Sequence, residues 1–254
     1  MGDVARTPIV CFPHAGAGKM YYGKWRYEFG DAIDFRIVQY PFREQRMNVP
    51  MPASLPSLAE DVFAAFIGTF RGPYAIWGHS MGAIVGYEVA KLCQRRLDNP
   101  PMVFFGSASA APNESRFKRA AMLDDEEGLN EILRHYGGIG EENLRDAEFM
   151  KYFSPIISAD LQMLATYEET GIERLRCPLV LMKGLDDRAD MDGWKLYAGD
   201  PPEFIEFPGG HFFLEDCRSQ MASIMETRIR LLRQSGDAAA DRCERDDPQV
   251  RDRG

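Results

Sequence analysis

Six short runs rich in β-branched and aromatic residues, at 9–12, 35–40, 74–77, 102–106, 179–183 and 204–207, alternate with longer stretches of helical periodicity. That alternation restricts the chain to βαβ units, because parallel strands need a crossover and a helix is the crossover that buries its own apolar face on the sheet. The expectation is an α/β chain with a mostly parallel central sheet flanked by helices. One flanking helix is marked by the spacing of Leu58, Val62, Phe63, Phe66, Ile67 and Phe70, and a second continues over 81–92 directly from the third run. A last helix is expected over 215–232.

Residues 112–170 break the rhythm. They hold no convincing strand and several helical patterns, such as 126–136 and 148–152, and read as an inserted helical segment. With 13 acidic against 6 basic residues, the segment carries −7 of the chain's net −9. A solvated helical face explains that concentration. The domain reading is therefore a core of 1–111 and 171–234 with a helical insertion at 112–170. Beyond it, 235–254 has almost no large apolar side chains and is expected not to order itself.

Composition excludes several functions. Net −9, with no Lys/Arg run longer than a pair, leaves no electrostatic footprint for a nucleic acid. No run of about 18 apolar residues is long enough to cross a membrane, and the start Met1-Gly2-Asp3-Val4-Ala5-Arg6 lacks the apolar stretch of a secretion signal. The cytoplasm is the expected location. Five cysteines, with no CxxC pair and no zinc-like Cys/His spacing, read as reduced thiols. Asp190 and Asp192 lie close together, but the loop lacks the glycine and later glutamate of a calcium-binding EF-hand, so no metal is expected.

The chemistry concentrates at the end of the third run, in Gly78-His79-Ser80-Met81-Gly82. A sharp strand-to-helix turn presents the Ser80 hydroxyl, and flanking glycines are required where side chains would strike neighbouring backbone. The following helix start adds unpaired N–H groups and a positive dipole end. A serine hydroxyl is a weak nucleophile until a base takes its proton, so a histidine and an orienting carboxylate should follow. Of four histidines, His79 lies inside the motif and should point away from Ser80. His135 lies in the acidic insertion and reads as a surface residue, and His14 follows the first strand. That leaves His211, in Gly209-Gly210-His211-Phe212-Phe213-Leu214 after the last strand. The carboxylate should lie between Ser80 and His211, just past a strand end; Gly184-Leu185-Asp186-Asp187 offers Asp187, with Asp186 in reserve. An oxyanion needs two fixed N–H donors. Met81 would supply one, and the glycine-rich loop Phe12-Pro13-His14-Ala15-Gly16-Ala17-Gly18 the other.

Taken together, Phe12-Pro13-His14-Ala15-Gly16, Tyr40-Pro41 with Arg43 and Arg46, Gly78-His79-Ser80-Met81-Gly82-Ala83, Cys177-Pro178, Gly184 with Asp187, Trp194 and Gly209-Gly210-His211-Phe212-Phe213-Leu214 resemble the type II thioesterases of nonribosomal peptide and polyketide biosynthesis. The resemblance spans about 9–232. It implies an α/β-hydrolase fold with an inserted helical lid, and hydrolysis of acyl thioesters from the phosphopantetheine arm of carrier proteins. It also implies Ser80 as nucleophile, His211 as base, Asp187 as its partner, and the Ala15 and Met81 N–H groups as the oxyanion hole. No cofactor beyond the substrate's own arm is implied, the partners are acyl or peptidyl carrier domains, and a monomer is the family default. Within the lid, Phe153, Ile156, Ile157, Leu161, Met163 and Leu164 could line an apolar channel, with Phe153, Ile157 and Leu161 as the chosen substrate contacts.

Three departures stand out. The family's Tyr-Pro-Gly-Arg-Gly loop reads Tyr40-Pro41-Phe42-Arg43-Glu44, Ser158 replaces a lid arginine before Ala159-Asp160, and the stretch from Asp187 to His211 is short. Carrier domains tend to be acidic, so an acidic enzyme needs a local basic landing site; the candidates are Arg116, Lys118 and Arg119, or Lys91, Arg95 and Arg96. A general carboxylesterase and a product-releasing thioesterase share the same constellation and remain alternatives, as does a catalytically silent binding protein on the same fold.

Overall fold

The computed structural model describes residues 6–113, 126–169 and 171–245. Its sheet has six strands: Thr7–Phe12 (β1), Ile33–Ile37 (β2), Ala75–His79 (β3), Phe104–Ser107 (β4), Leu179–Gly184 (β5) and Glu203–Phe207 (β6). All neighbours pair in parallel, in the order β2-β1-β3-β4-β5-β6. The chain moves outward from β1 to β2, then returns to add β3 on the other side of β1. That reversal makes a crevice beyond the carboxyl ends of β1 and β3, where open α/β sheets bind their ligands.

Because strand side chains alternate between faces, each strand feeds two cores. Val10, Phe12, Ile76 and Phe104 face Leu55–Phe70 (α2) and Met81–Arg96 (α3). Ile9, Cys11, Trp77 and Phe105 face Arg218–Arg245 (α7), which contributes Met221, Met225 and Ile229. The start of α2 is capped by Ser54, whose Oγ accepts from Ser57 N at 3.3 Å, satisfying one of the unpaired donors of the first turn. Between β4 and β5 the described elements are all helices: Glu126–Tyr136 (α4), Glu141–Leu144 (α5) and Ala147–Ala165 (α6).

Element boundaries shift from the expected runs, most instructively at the second strand and the last helix. The second strand starts at Ile33 and stops at Ile37 instead of covering 35–40. Val38 N still donates to Cys11 O at 2.9 Å, but the chain then turns through Pro41, which has no N–H to offer a ladder. The last helix starts at Arg218 and continues past 232 to Arg245, so the backbone over 235–245 is helical where an unordered tail was expected. That stretch includes Ala238, Ala239, Ala240, Arg242, Glu244 and Arg245, and alanine, arginine and glutamate are among the stronger helix formers. Residues 246–254 lie outside the described part. A short helix at Lys19–Tyr22 (α1) went unforeseen, as four residues are too few to carry a periodicity.

One buried ion pair ties the helical segment to the core. Arg43 and Asp160 are both buried and meet through two short bonds, Nη1 to Oδ2 at 2.7 Å and Nη2 to Oδ1 at 2.6 Å. Removing one partner would leave the other charge buried and uncompensated, a loss of about 3–5 kcal/mol.

Candidate active site

Ser80 joins β3 to α3 with φ 53° and ψ −122°, a left-handed conformation that is costly for a residue with a side chain. Its surroundings hold it there: Ser80 N donates to Ser107 O at 2.8 Å, and Ser80 O accepts from Ala83 N at 2.9 Å. The motif glycines are required by close approach. A Cβ on Gly82 would lie 2.0 Å from Phe12 O, and one on Gly78 would lie 2.3 Å from Gly82 O. Gly82→Ala therefore has to push β1 away from α3, and is expected to lower stability by about 3 kcal/mol or more. A thermal unfolding curve matching wild type would contradict this.

His211 Nε2 lies 3.1 Å from Ser80 Oγ, and His211 Nδ1 lies 3.3 and 3.2 Å from the two Asp187 oxygens. A ring donating to Asp187 through Nδ1 leaves Nε2 to accept the Ser80 proton. Asp186 is exposed and its N donates to Gly209 O at 3.0 Å, so of the two candidate carboxylates Asp187 is the one brought to the histidine. The loops are set by another close approach, since a Cβ on Gly184 would lie 2.3 Å from both Gly209 O and Gly210 O. Burial pushes the Asp187 carboxyl up, but the hydrogen bond and charge of His211, with the Ala189 and Arg188 N–H groups, outweigh it and hold the carboxyl below its usual value.

Two more histidines back this arrangement. The His79 ring is 5.4 Å from that of His211 and 5.8 Å from that of His14. As expected, His79 turns away from Ser80, its Nδ1 lying 2.9 Å from Ser107 Oγ, while His14 Nδ1 lies 2.8 Å from Tyr22 OH. Burial, then the nearby His211, lowers both; His14 falls to about 3. Both rings are therefore neutral at pH 7 and add no charge beside His211. Below about pH 6.5 the unfolded chain takes up protons that the folded chain refuses. Stability from His14 is thus complete above pH 6.5 and is lost as pH falls towards 3. The urea midpoint should drop between pH 7.5 and 5, and drop less in His14→Gln; an equal drop in both would contradict this origin. The side chain of His135 falls outside the described residues.

Ala15 and Gly16 occupy the centre of a turn closed by Ala17 N donating to His14 O at 3.1 Å, with Gly16 at φ 81°. Met81 is buried at the start of α3. Neither the Ala15 nor the Met81 N–H has a hydrogen-bond partner among the described residues, so both are available to an incoming oxyanion.

A cavity of about 1010 Å³ opens onto Ser80 and His211. The expected contacts Phe153, Ile157 and Leu161 all line it, as do Ile156 and Leu164. Met163, also expected there, is buried in the core cluster instead. Tyr21, Tyr136 and Phe212 from three separate segments, and Phe149 and Tyr152 from the first turns of α6 beside Phe153, add to the apolar wall and were missed; helical spacing with Phe153 was the signal for the last two.

The altered loop has a left-handed backbone at two residues that carry side chains. Phe42 and Glu44, at the two glycine places, have φ 61° and 47°. Glu44 offsets part of that strain through its carboxylate, which accepts from Lys19 N at 3.0 Å and Met20 N at 2.9 Å beside the cavity. Of the two basic clusters, Arg116, Lys118 and Arg119 lie outside the described residues. In the other, Lys91 is buried and pairs with Glu88 and Glu169, whereas Arg95 and Arg96 are exposed and pair with Glu173 and Glu60. Among the described residues no group of three or more His, Cys, Asp or Glu could hold a metal, and no helix is long and apolar enough to cross a membrane.

The Thioesterase domain family matches residues 7–232. The chain belongs to the thioesterase family. Thioesterase PikA5 of Streptomyces venezuelae is 30% identical over 235 residues, covering 91% of this chain and 83% of its own. ClbQ of the colibactin NRPS/PKS pathway superposes with a TM-score of 0.83 at 25% identity, covering 91% of this chain and all of that one. BorB, the type II thioesterase of the borrelidin biosynthetic cluster, superposes at 0.78 with 28% identity, covering 88% and 93%. The α/β-hydrolase fold expected from the resemblance is thereby established for this thioesterase.

Proposed function

We propose that this thioesterase removes acyl groups from the phosphopantetheine arm of carrier domains in a nonribosomal peptide or polyketide assembly line, as a stand-alone editing enzyme. The observation that carries the reading is the Asp187–His211–Ser80 hydrogen-bonded chain opening onto a large apolar cavity. The names of the relatives support the pathway. Ser80 Oγ attacks the thioester carbonyl as His211 Nε2 takes its proton, and the Ala15 and Met81 N–H groups receive the oxyanion. His211 returns that proton to the departing pantetheine sulfur. Water then enters, gives a proton to the same nitrogen and releases the acid, restoring Ser80. Asp187 keeps the ring oriented and stabilises its cation.

The cavity wall, with Phe153, Ile157 and Leu161 from α6, holds the acyl chain, and α4 to α6 serve as the lid. No cofactor is needed, because the pantetheine arm arrives with the substrate. The enzyme works as a cytoplasmic monomer with carrier domains as partners, and with neither nucleic acid nor membrane. The test is a comparison of kcat/KM for an octanoyl carrier-domain thioester with that for an oxygen ester of the same acyl group. The thioester should be preferred by about 100-fold or more, as expected when a partner's binding energy is used at the reacting centre. Equal rates would favour a general carboxylesterase.

A further inference from the structure

Asp160 does more than pair with Arg43. Its Oδ2, which accepts from Arg43 Nη1, also accepts from Gly16 N at 2.7 Å. Arg43 is anchored in turn, donating through Nε to Pro41 O at 3.1 Å and through Nη1 to Ala17 O at 3.0 Å. One carboxylate and one guanidinium thus join α6, the turn after β1 and the altered loop. Ile157, one helical turn before Asp160, presses on the same spot: a Cβ on Gly16 would lie 2.5 Å from its Cγ1. The helix that walls the cavity is also the outer support of the turn that holds Ala15.

An ion pair needed only to fasten α6 to the core could be replaced by apolar side chains at little cost. Apolar side chains cannot supply an acceptor for the Gly16 N–H. That N–H belongs to the peptide directly after Ala15, in a turn whose glycine leaves the peptide plane easy to rotate. Resting on the assignment of Ser80 and Ala15 above, we infer that Asp160, held by Arg43, is a positioning residue for the oxyanion hole. It fixes the Ala15–Gly16 peptide and so restricts the Ala15 torsions that set the direction of the N–H on the preceding His14–Ala15 peptide. Hydrolysis therefore requires α6 to be seated on the turn, and a displaced helix leaves Ser80 and His211 in place with only one aligned donor.

The test uses the full chain with Asp160→Ala, Asp160→Asn and the double variant Arg43→Met/Asp160→Leu. Loss of one aligned donor should lower kcat by about 100-fold in Asp160→Ala, with KM within about threefold of wild type. Asp160→Asn keeps an acceptor for Gly16 and should recover to within about tenfold of wild type. The double variant should unfold near the wild-type midpoint yet remain about 100-fold slow. Inhibition by n-octylboronic acid, whose tetrahedral adduct on Ser80 places an oxygen towards the donors, should weaken by a similar factor, while binding of an octyl thioether of pantetheine should not change. A double variant with wild-type kcat, or equal weakening of the boronic acid and the thioether, overturns the inference alone. Absence of any Ser80-dependent turnover in the wild-type enzyme overturns the functional reading and this inference with it.

Discussion

Ser80→Ala should lower kcat on an acylated carrier domain by about 10⁶-fold, because it removes the hydroxyl that the histidine base activates to receive the acyl chain. Its Oγ is 3.1 Å from His211 Nε2, and the left-handed backbone that presents it is held by main-chain bonds to Ser107 and Ala83, which alanine keeps. The variant should therefore fold as wild type and still bind the acylated carrier. Residual turnover of about 10³-fold over water would come from the oxyanion donors and the cavity. A variant that loses binding together with turnover would point to a structural role for Ser80 instead.

Asp187→Asn should lower kcat by about 10⁴-fold without disturbing the fold. The carboxylate accepts the Nδ1 proton of His211, and its Oδ1 also accepts from Ala189 N at 3.1 Å. An asparagine satisfied by Ala189 through its carbonyl turns its NH₂ towards the histidine. The ring then accepts at Nδ1 and carries its proton on Nε2, which removes the base from Ser80. Asp186→Asn changes an exposed side chain and should leave kcat within about twofold of wild type, an effect below about 0.5 kcal/mol. The reverse result would reassign the carboxylate.

Ser80 and His211 were legible because each sits in a local pattern, a glycine-flanked serine between strand and helix and a histidine after the last strand. The choice between Asp186 and Asp187 was not settled locally. It depends on how the ends of β5 and β6 cross, at Gly184 against Gly209 and Gly210, a contact between distant segments. Arg43 and Asp160 are 117 residues apart and were visible only as marks of a resemblance; their meeting follows from how α6 packs. The same limit applies to the cavity wall. Phe153, Ile157 and Leu161 share one helix and could be chosen together, whereas Tyr21, Tyr136 and Phe212 come from three separate segments. In the loop at 40–44, Phe42 and Glu44 concealed a left-handed backbone that glycine would have announced.

The most direct measurement is intact-protein and peptide mass spectrometry after mixing the enzyme with an octanoylated carrier domain. The acyl mass should leave the carrier, appear transiently on the peptide containing Ser80 and be released as the free acid. With Ser80→Ala the carrier should keep its acyl group throughout. A carrier that stays acylated with the wild-type enzyme, while a simple oxygen ester is cleaved, would contradict the account.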